Sequence, residues 1–131
     1  MNDYLKEKLV TFEQALETLS EAFVQNPSQL EIDGAIQRFE YCFELSWKTL
    51  KLVLNRRGIT EKINSPKSCF QRSFLDGLIE NEEAWLKMLQ GRNLSTHTYN
   101  KQIADEIYIS LPQYYELMKV LLRKLKAENR I

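Results

Sequence analysis

The chain has 131 residues, with 18 basic and 18 acidic side chains and no net charge. That length suits one domain spanning 1–131, large enough to bury roughly two-thirds of its unfolded surface without staples. Neutrality argues against a protein dedicated to coating nucleic acid and leaves room only for a local patch. Cys42 and Cys69 lie in unrelated helical contexts, which gives neither a disulfide framework nor zinc spacing and fits a reducing compartment. The start, "MNDYLKEKLV", is charged and has no apolar signal core. No apolar run approaches the roughly 20 residues needed to span a bilayer. The expectation is a soluble, cytoplasmic protein with no membrane partner.

Leu5, Leu9, Phe12, Leu16, Leu19 and Phe23 recur in steps of three and four, which places them on one stripe of a long first helix. "NPSQ" ends it, because Pro27 biases Asn26 away from helical angles. A second helix is predicted from near Asp33 to about Arg57, with Gly58 at the C′ position. Its stripe is Ile36, Phe39, Phe43, Trp47, Leu50 and Leu54, widened by Leu45, Leu52 and Val53. Ser65 followed by Pro66 predicts the cap and first residue of a third helix running through Ile79. Asn81 caps a fourth, whose early glutamates suit the helix dipole. Ile103, Ile107, Leu111, Tyr114, Met118, Leu121 and Leu125 carry a fifth. Pro112 interrupts that pattern, and "SLPQ" resembles a capping box, so a kink or a restart is expected there. With no convincing strand, repeat or linker, the fold class is all-α: an antiparallel up-and-down helical bundle of four to five helices.

Several chemistries are missing. Gly34, Gly58, Gly77 and Gly91 are unclustered, which excludes a P-loop and a dinucleotide fingerprint. Asp3, Asp33, Asp76 and Asp105 are far apart, so no Asp-x-Asp pair exists to hold metal for nucleotidyl transfer. One histidine and two distant cysteines do not make a usual zinc site. Neither a cofactor nor a metal is implied. Glu40 and Glu44 lie one helical turn apart with Lys48 one turn further. Paired carboxylates can do acid–base work, with Glu44 and Lys48 as supporting polar residues. The plainer reading is a charged stripe with a Glu44–Lys48 pair worth about 0.3–0.5 kcal/mol.

The most polar stretch is "RNLSTHTYN", residues 92–100, which holds the only histidine and follows Gly91. Its Asn, Ser and Thr residues are weak helix formers, so the fourth helix is expected to fray here. On a regular helix Arg92 and His97 would stand about 140° apart and could not share a face. An irregular turn or a symmetric partner chain could bring them together. Arg plus His is a sensible minimal set for RNA cleavage: His moves a proton near neutral pH, and Arg stabilises the phosphorane-like charge. No metal is required if the nucleophile is the ribose 2′-hydroxyl. From the residues alone, the plainer and stronger reading is a capped helix end with a surface histidine.

"RNLSTHTY" resembles the Arg-x4-His-x-Tyr signature of the HEPN superfamily, including the polar Asn93 directly after the Arg. "RFEYCFELSWKTLK", residues 38–51, resembles the second-helix block of its nucleotidyltransferase substrate-binding branch. Gly91 departs from the pattern, since many relatives carry a bulkier residue there. The resemblance spans nearly the whole chain. It implies a helical homodimer with a cleft between protomers, beside a separately encoded minimal nucleotidyltransferase. It implies catalytic roles for Arg92 and His97 with Asn93 orienting them, and Tyr99 as a modifiable hydroxyl. Two functions follow from it. One is a metal-independent ribonuclease toxin of a toxin–antitoxin pair; the alternative is a non-catalytic substrate- or nucleotide-binding subunit. The chain itself is not expected to be a nucleotidyltransferase.

Overall fold

The computed structural model describes residues 3–129, apart from the side chain of Asp3. Among the described residues the elements are α1 (Asp3–Ser20), α2 (Gln29–Arg56), α3 (Pro66–Leu75), α4 (Glu82–Leu94), a 3₁₀ turn (Ser95–His97) and α5 (Lys101–Glu128). No strand occurs among them, as expected for an all-α bundle. None of the described helices is long and apolar enough to cross a membrane.

The apolar stripes pack as their spacing dictates. Leu9, Phe12, Leu16 and Leu19 of α1 are buried against α2 and α5. Arg38 of α2 donates to the Thr18 carbonyl at 2.6 Å, and Lys126 of α5 meets Glu13 of α1 at 2.9 Å. These ties run α1 antiparallel to α2 and α5. Phe39 pairs with Tyr114 and Arg57 with Glu128, so the two 28-residue helices α2 and α5 run parallel. α3 packs against α2 and α4, and α4 packs against α3 and α5. A chain of aromatic contacts ties all four together: Tyr114 on Phe39 at 5.2 Å, Phe39 on Phe43, Phe43 on Phe70, and Phe70 on Trp85 at 5.0 Å.

Three boundaries differ from the sequence expectation, each for a local reason. α1 stops at Ser20, so Phe23 lies beyond it and packs edge-on against Tyr115 at 5.7 Å. There the Tyr108 hydroxyl accepts from the Val24 N–H at 3.0 Å and is placed to donate to the Ala22 or Val24 carbonyl, binding the link to α5. α2 begins at Gln29 rather than Asp33, because Ser28 and Glu31 close a reciprocal capping box. α3 ends at Leu75 rather than Ile79. Gly77 (φ +78) takes the left-handed position, and Leu78 N–H reaches back to the Ser73 carbonyl at 2.8 Å, a Schellman stop. Gly58, as expected, ends α2 in the same way.

α5 passes through Pro112 as one helix, without the restart that "SLPQ" implied. Ser110 Oγ donates to the Glu106 carbonyl within the helix at 3.1 Å and does not cap. Pro112 sits on the exposed side, while its neighbours Leu111 and Tyr114 are buried and hold both halves in line.

Candidate functional site

The polar stretch lies where α4 gives way to α5. Gly91, the last buried residue of α4, rests under Tyr114; Arg92 follows in the last turn. A cation there meets the negative end of the helix dipole. Ser95 is both the C-cap of α4 and the start of the 3₁₀ turn. Asn100 then caps α5, accepting from the Gln102 and Ile103 N–H groups at 3.0 and 3.2 Å. The weak helix formers thus produce a tight turn held by caps at both ends.

Arg92 turns inward to α2. Its Nη1 lies 3.6 Å from Glu40 Oε2 and donates to Ser95 Oγ at 3.2 Å. Ser95 Oγ has one proton and two acceptors beside it, Glu40 Oε2 and the Arg92 carbonyl at 2.6 Å. The three side chains form a closed knot joining α4 to α2. Arg92 and Glu40 are both about 30% exposed, so the ion pair is partly screened and worth about 1 kcal/mol or less. Its geometric role exceeds its contribution to stability. Arg92 Nε is buried without a hydrogen-bond partner among the described residues.

His97 turns outward. It is exposed, and its Nδ1 lies 3.1 Å from the Tyr99 hydroxyl, the rings edge-on with centroids 5.7 Å apart. Tyr99 is 84% exposed, in keeping with an accessible phenol. Asn93 is exposed, and its carbonyl accepts from Thr96 Oγ1 at 3.3 Å. No hydrogen bond joins Arg92 to His97 among the described residues.

Glu44 and Lys48 pair with each other at 3.5 Å, and Glu44 also accepts from Trp47 Nε1 at 3.2 Å. The acid that meets Arg92 is Glu40, one turn earlier. Sequence reasoning missed Glu40 and Ser95 as Arg92's partners. The available signal was weak: Glu40 lies in the 38–51 block, but no spacing within α2 tells where α4 crosses it.

A HEPN-like helical bundle with an Arg–His turn at the end of α4 is thus the class defined by fold and motif together. Comparison with known proteins agrees. The family model described as "Nucleotidyltransferase substrate binding protein like" matches residues 7–127. A Haemophilus influenzae protein named "Probable ribonuclease HepT" is 31% identical over 102 residues, covering 76% of this chain and 70% of its own length. A crystal structure of a Thermus thermophilus protein superposes with a TM-score of 0.82 at 40% identity, covering 88% of this chain and 98% of that one. A second structure, from Haemophilus influenzae, has a TM-score of 0.71 at 26% identity over 95% of this chain and 98% of that one. It is described as revealing the fold of a substrate binding domain of a nucleotidyltransferase. The chain belongs to the nucleotidyltransferase substrate binding protein-like family.

Proposed function

We propose that this protein is a HEPN-type subunit working beside a separately encoded minimal nucleotidyltransferase, and that it cleaves RNA without a metal, as the toxin of a toxin–antitoxin pair. The observation that carries this reading is the placement of His97: exposed at the tip of the turn, with Nδ1 engaged by Tyr99 and Nε2 without a partner among the described residues. The similarity to a protein named as a probable ribonuclease supports it. In the reaction an imidazole takes the proton of a ribose 2′-hydroxyl as the 2′-oxygen bonds to phosphorus. The phosphorus–O5′ bond breaks, and an imidazolium returns a proton to the leaving O5′. Arg92 stabilises the added negative charge, and Asn93 orients the phosphate.

One protomer turns Arg92 inward and His97 outward. An isologous dimer that faces two copies of 92–99 across a cleft gathers what one turn separates. Tyr99 is the hydroxyl that the transferase would modify with AMP. The phosphodiester charge of that adduct would pair with the arginine, and its base would fill the cleft. The single 1–131 domain and a cytoplasmic site of action belong to the same reading.

A second reading is a non-catalytic substrate- or nucleotide-binding subunit. It is favoured by the Glu40 carboxylate, which already neutralises Arg92, and by the description of the Haemophilus influenzae structure. Induced expression separates the two. A toxin should arrest growth unless the neighbouring transferase is co-expressed, and Arg92→Ala and His97→Ala should both abolish the arrest. Growth unaffected by the wild type, with nucleotide binding retained, would favour the binding subunit.

A further inference from the structure

Gly91 and Tyr114 occupy a place that the catalytic reading leaves unexplained. A Cβ built on Gly91 would stand 2.7 Å from the Tyr114 hydroxyl oxygen and 3.1 Å from two ring carbons. Such a contact is cheap only when the neighbour is free to swing aside. Tyr114 is not free: it is 7% exposed and stacks on Phe39 at 5.2 Å with an interplanar angle of 27°. Gly91 directly precedes Arg92 on α4, and Phe39 directly precedes Glu40 on α2. The Tyr114 ring of α5 is therefore a wedge between the backbone of α4 and the Phe39 ring, and the next residue on each helix supplies one half of the Arg92–Glu40 pair.

We propose that Gly91 and Tyr114 are positioning residues for Arg92: the wedge sets the separation of α4 from α2 and so holds the guanidinium on Glu40 and Ser95. The glycine is needed because any side chain there pushes α4 off Tyr114, and close-packed interiors transmit such a push. Neither residue touches substrate. The role of this site in RNA cleavage rests on the proposed function; the wedge itself does not.

The decisive experiment reads Arg92 directly. Exchange of the Arg92 Nε–H with solvent is followed by ¹⁵N NMR in the full-length protein, because that group is buried. Gly91→Ala is expected to speed exchange about tenfold or more by loosening the last turn of α4. Adding Tyr114→Phe to Gly91→Ala removes the nearest clashing atom and should restore slow exchange. Leu9→Ala, a core cavity in α1, controls for general destabilisation and should leave Arg92 exchange close to wild type. If Gly91→Ala does not fold, Tyr114→Leu removes the wedge while keeping the glycine and should also speed exchange. Unchanged exchange in Gly91→Ala, or in Tyr114→Leu where it is used, overturns the proposal, as does equal acceleration by Leu9→Ala. In RNA cleavage, Gly91→Ala should lower kcat by about 10–100-fold with KM little changed, since small misplacements act on the reacting geometry. Tyr114→Phe should recover the rate. A wild type that cleaves no RNA sinks the catalytic reading and leaves the exchange result to stand alone.

Discussion

His97 and Tyr99 share one hydrogen bond, Nδ1 to phenolic oxygen at 3.1 Å, on the exposed tip between α4 and α5. The contact biases the imidazole orientation, but at an exposed site it is worth only about 0.5–1.5 kcal/mol. Tyr99→Phe is therefore expected to lower RNA cleavage by less than about tenfold. The same variant should take up no AMP when co-expressed with the neighbouring transferase, whereas the wild type should gain one AMP mass per chain. Intact-mass spectrometry decides it. An equal adduct on Tyr99→Phe would move the modification elsewhere.

Glu40 gives the converse test. Glu40→Ala frees Arg92 from α2 at little thermodynamic cost, because the pair is partly exposed. Thermal unfolding should shift by no more than about 1 kcal/mol, while kcat falls by about 10–100-fold through loss of arginine position. A variant that loses stability but keeps full activity would assign Glu40 to packing alone.

The helices are legible in the sequence because period and caps agree: Ser65-Pro66, Asn81 and Gly58 act where their chemistry puts them. The boundaries that differ turn on shorter signals. Ser28-x-x-Glu31 is a capping box that the Pro27 break obscures, and Gly77 stops α3 although Leu78 and Ile79 continue the apolar pattern into the core. The polar turn is visible as composition, and its fraying into a 3₁₀ turn follows. The partners of Arg92 are not legible. Glu40 comes from a helix more than fifty residues away in sequence, and which turn of α2 faces α4 depends on how Gly91 and Tyr114 pack.

The two thiols supply a pH prediction. Burial pushes Cys42 up to about 12 and Cys69 up to about 11 from the ordinary 9.0. A raised pKa means the folded state keeps its proton where the unfolded chain has lost it. The stabilisation is complete below about pH 9 and is lost progressively as pH rises through 11 and 12. Denaturant titrations should show stability declining above pH 9, less steeply in Cys42→Ala once that variant's own cavity cost is subtracted. At about pH 8, below the ordinary thiol range, both thiols should resist iodoacetamide in the folded protein and react once it unfolds. Rapid native alkylation would contradict their burial.

Pro112 offers a stability gain. It sits exposed inside continuous α5 and lacks the N–H that would meet the Tyr108 carbonyl. Pro112→Ala should stabilise the protein by about 1–3 kcal/mol, read as a higher midpoint in urea. A loss of stability would mean that the proline ring itself packs productively.

Dimerisation is tested by light scattering at micromolar concentration, where a mass near twice 15.5 kDa is expected. A monomer at that concentration would remove the shared cleft from the account.

The central claim meets its most direct test in one assay: purified protein, single-stranded RNA and excess EDTA, with the cleaved ends identified by mass spectrometry. The account predicts 2′,3′-cyclic phosphate and 5′-hydroxyl ends, with the rate falling about 10²–10⁴-fold in His97→Ala. Intact RNA, or cleavage by His97→Ala as fast as by the wild type, would contradict it.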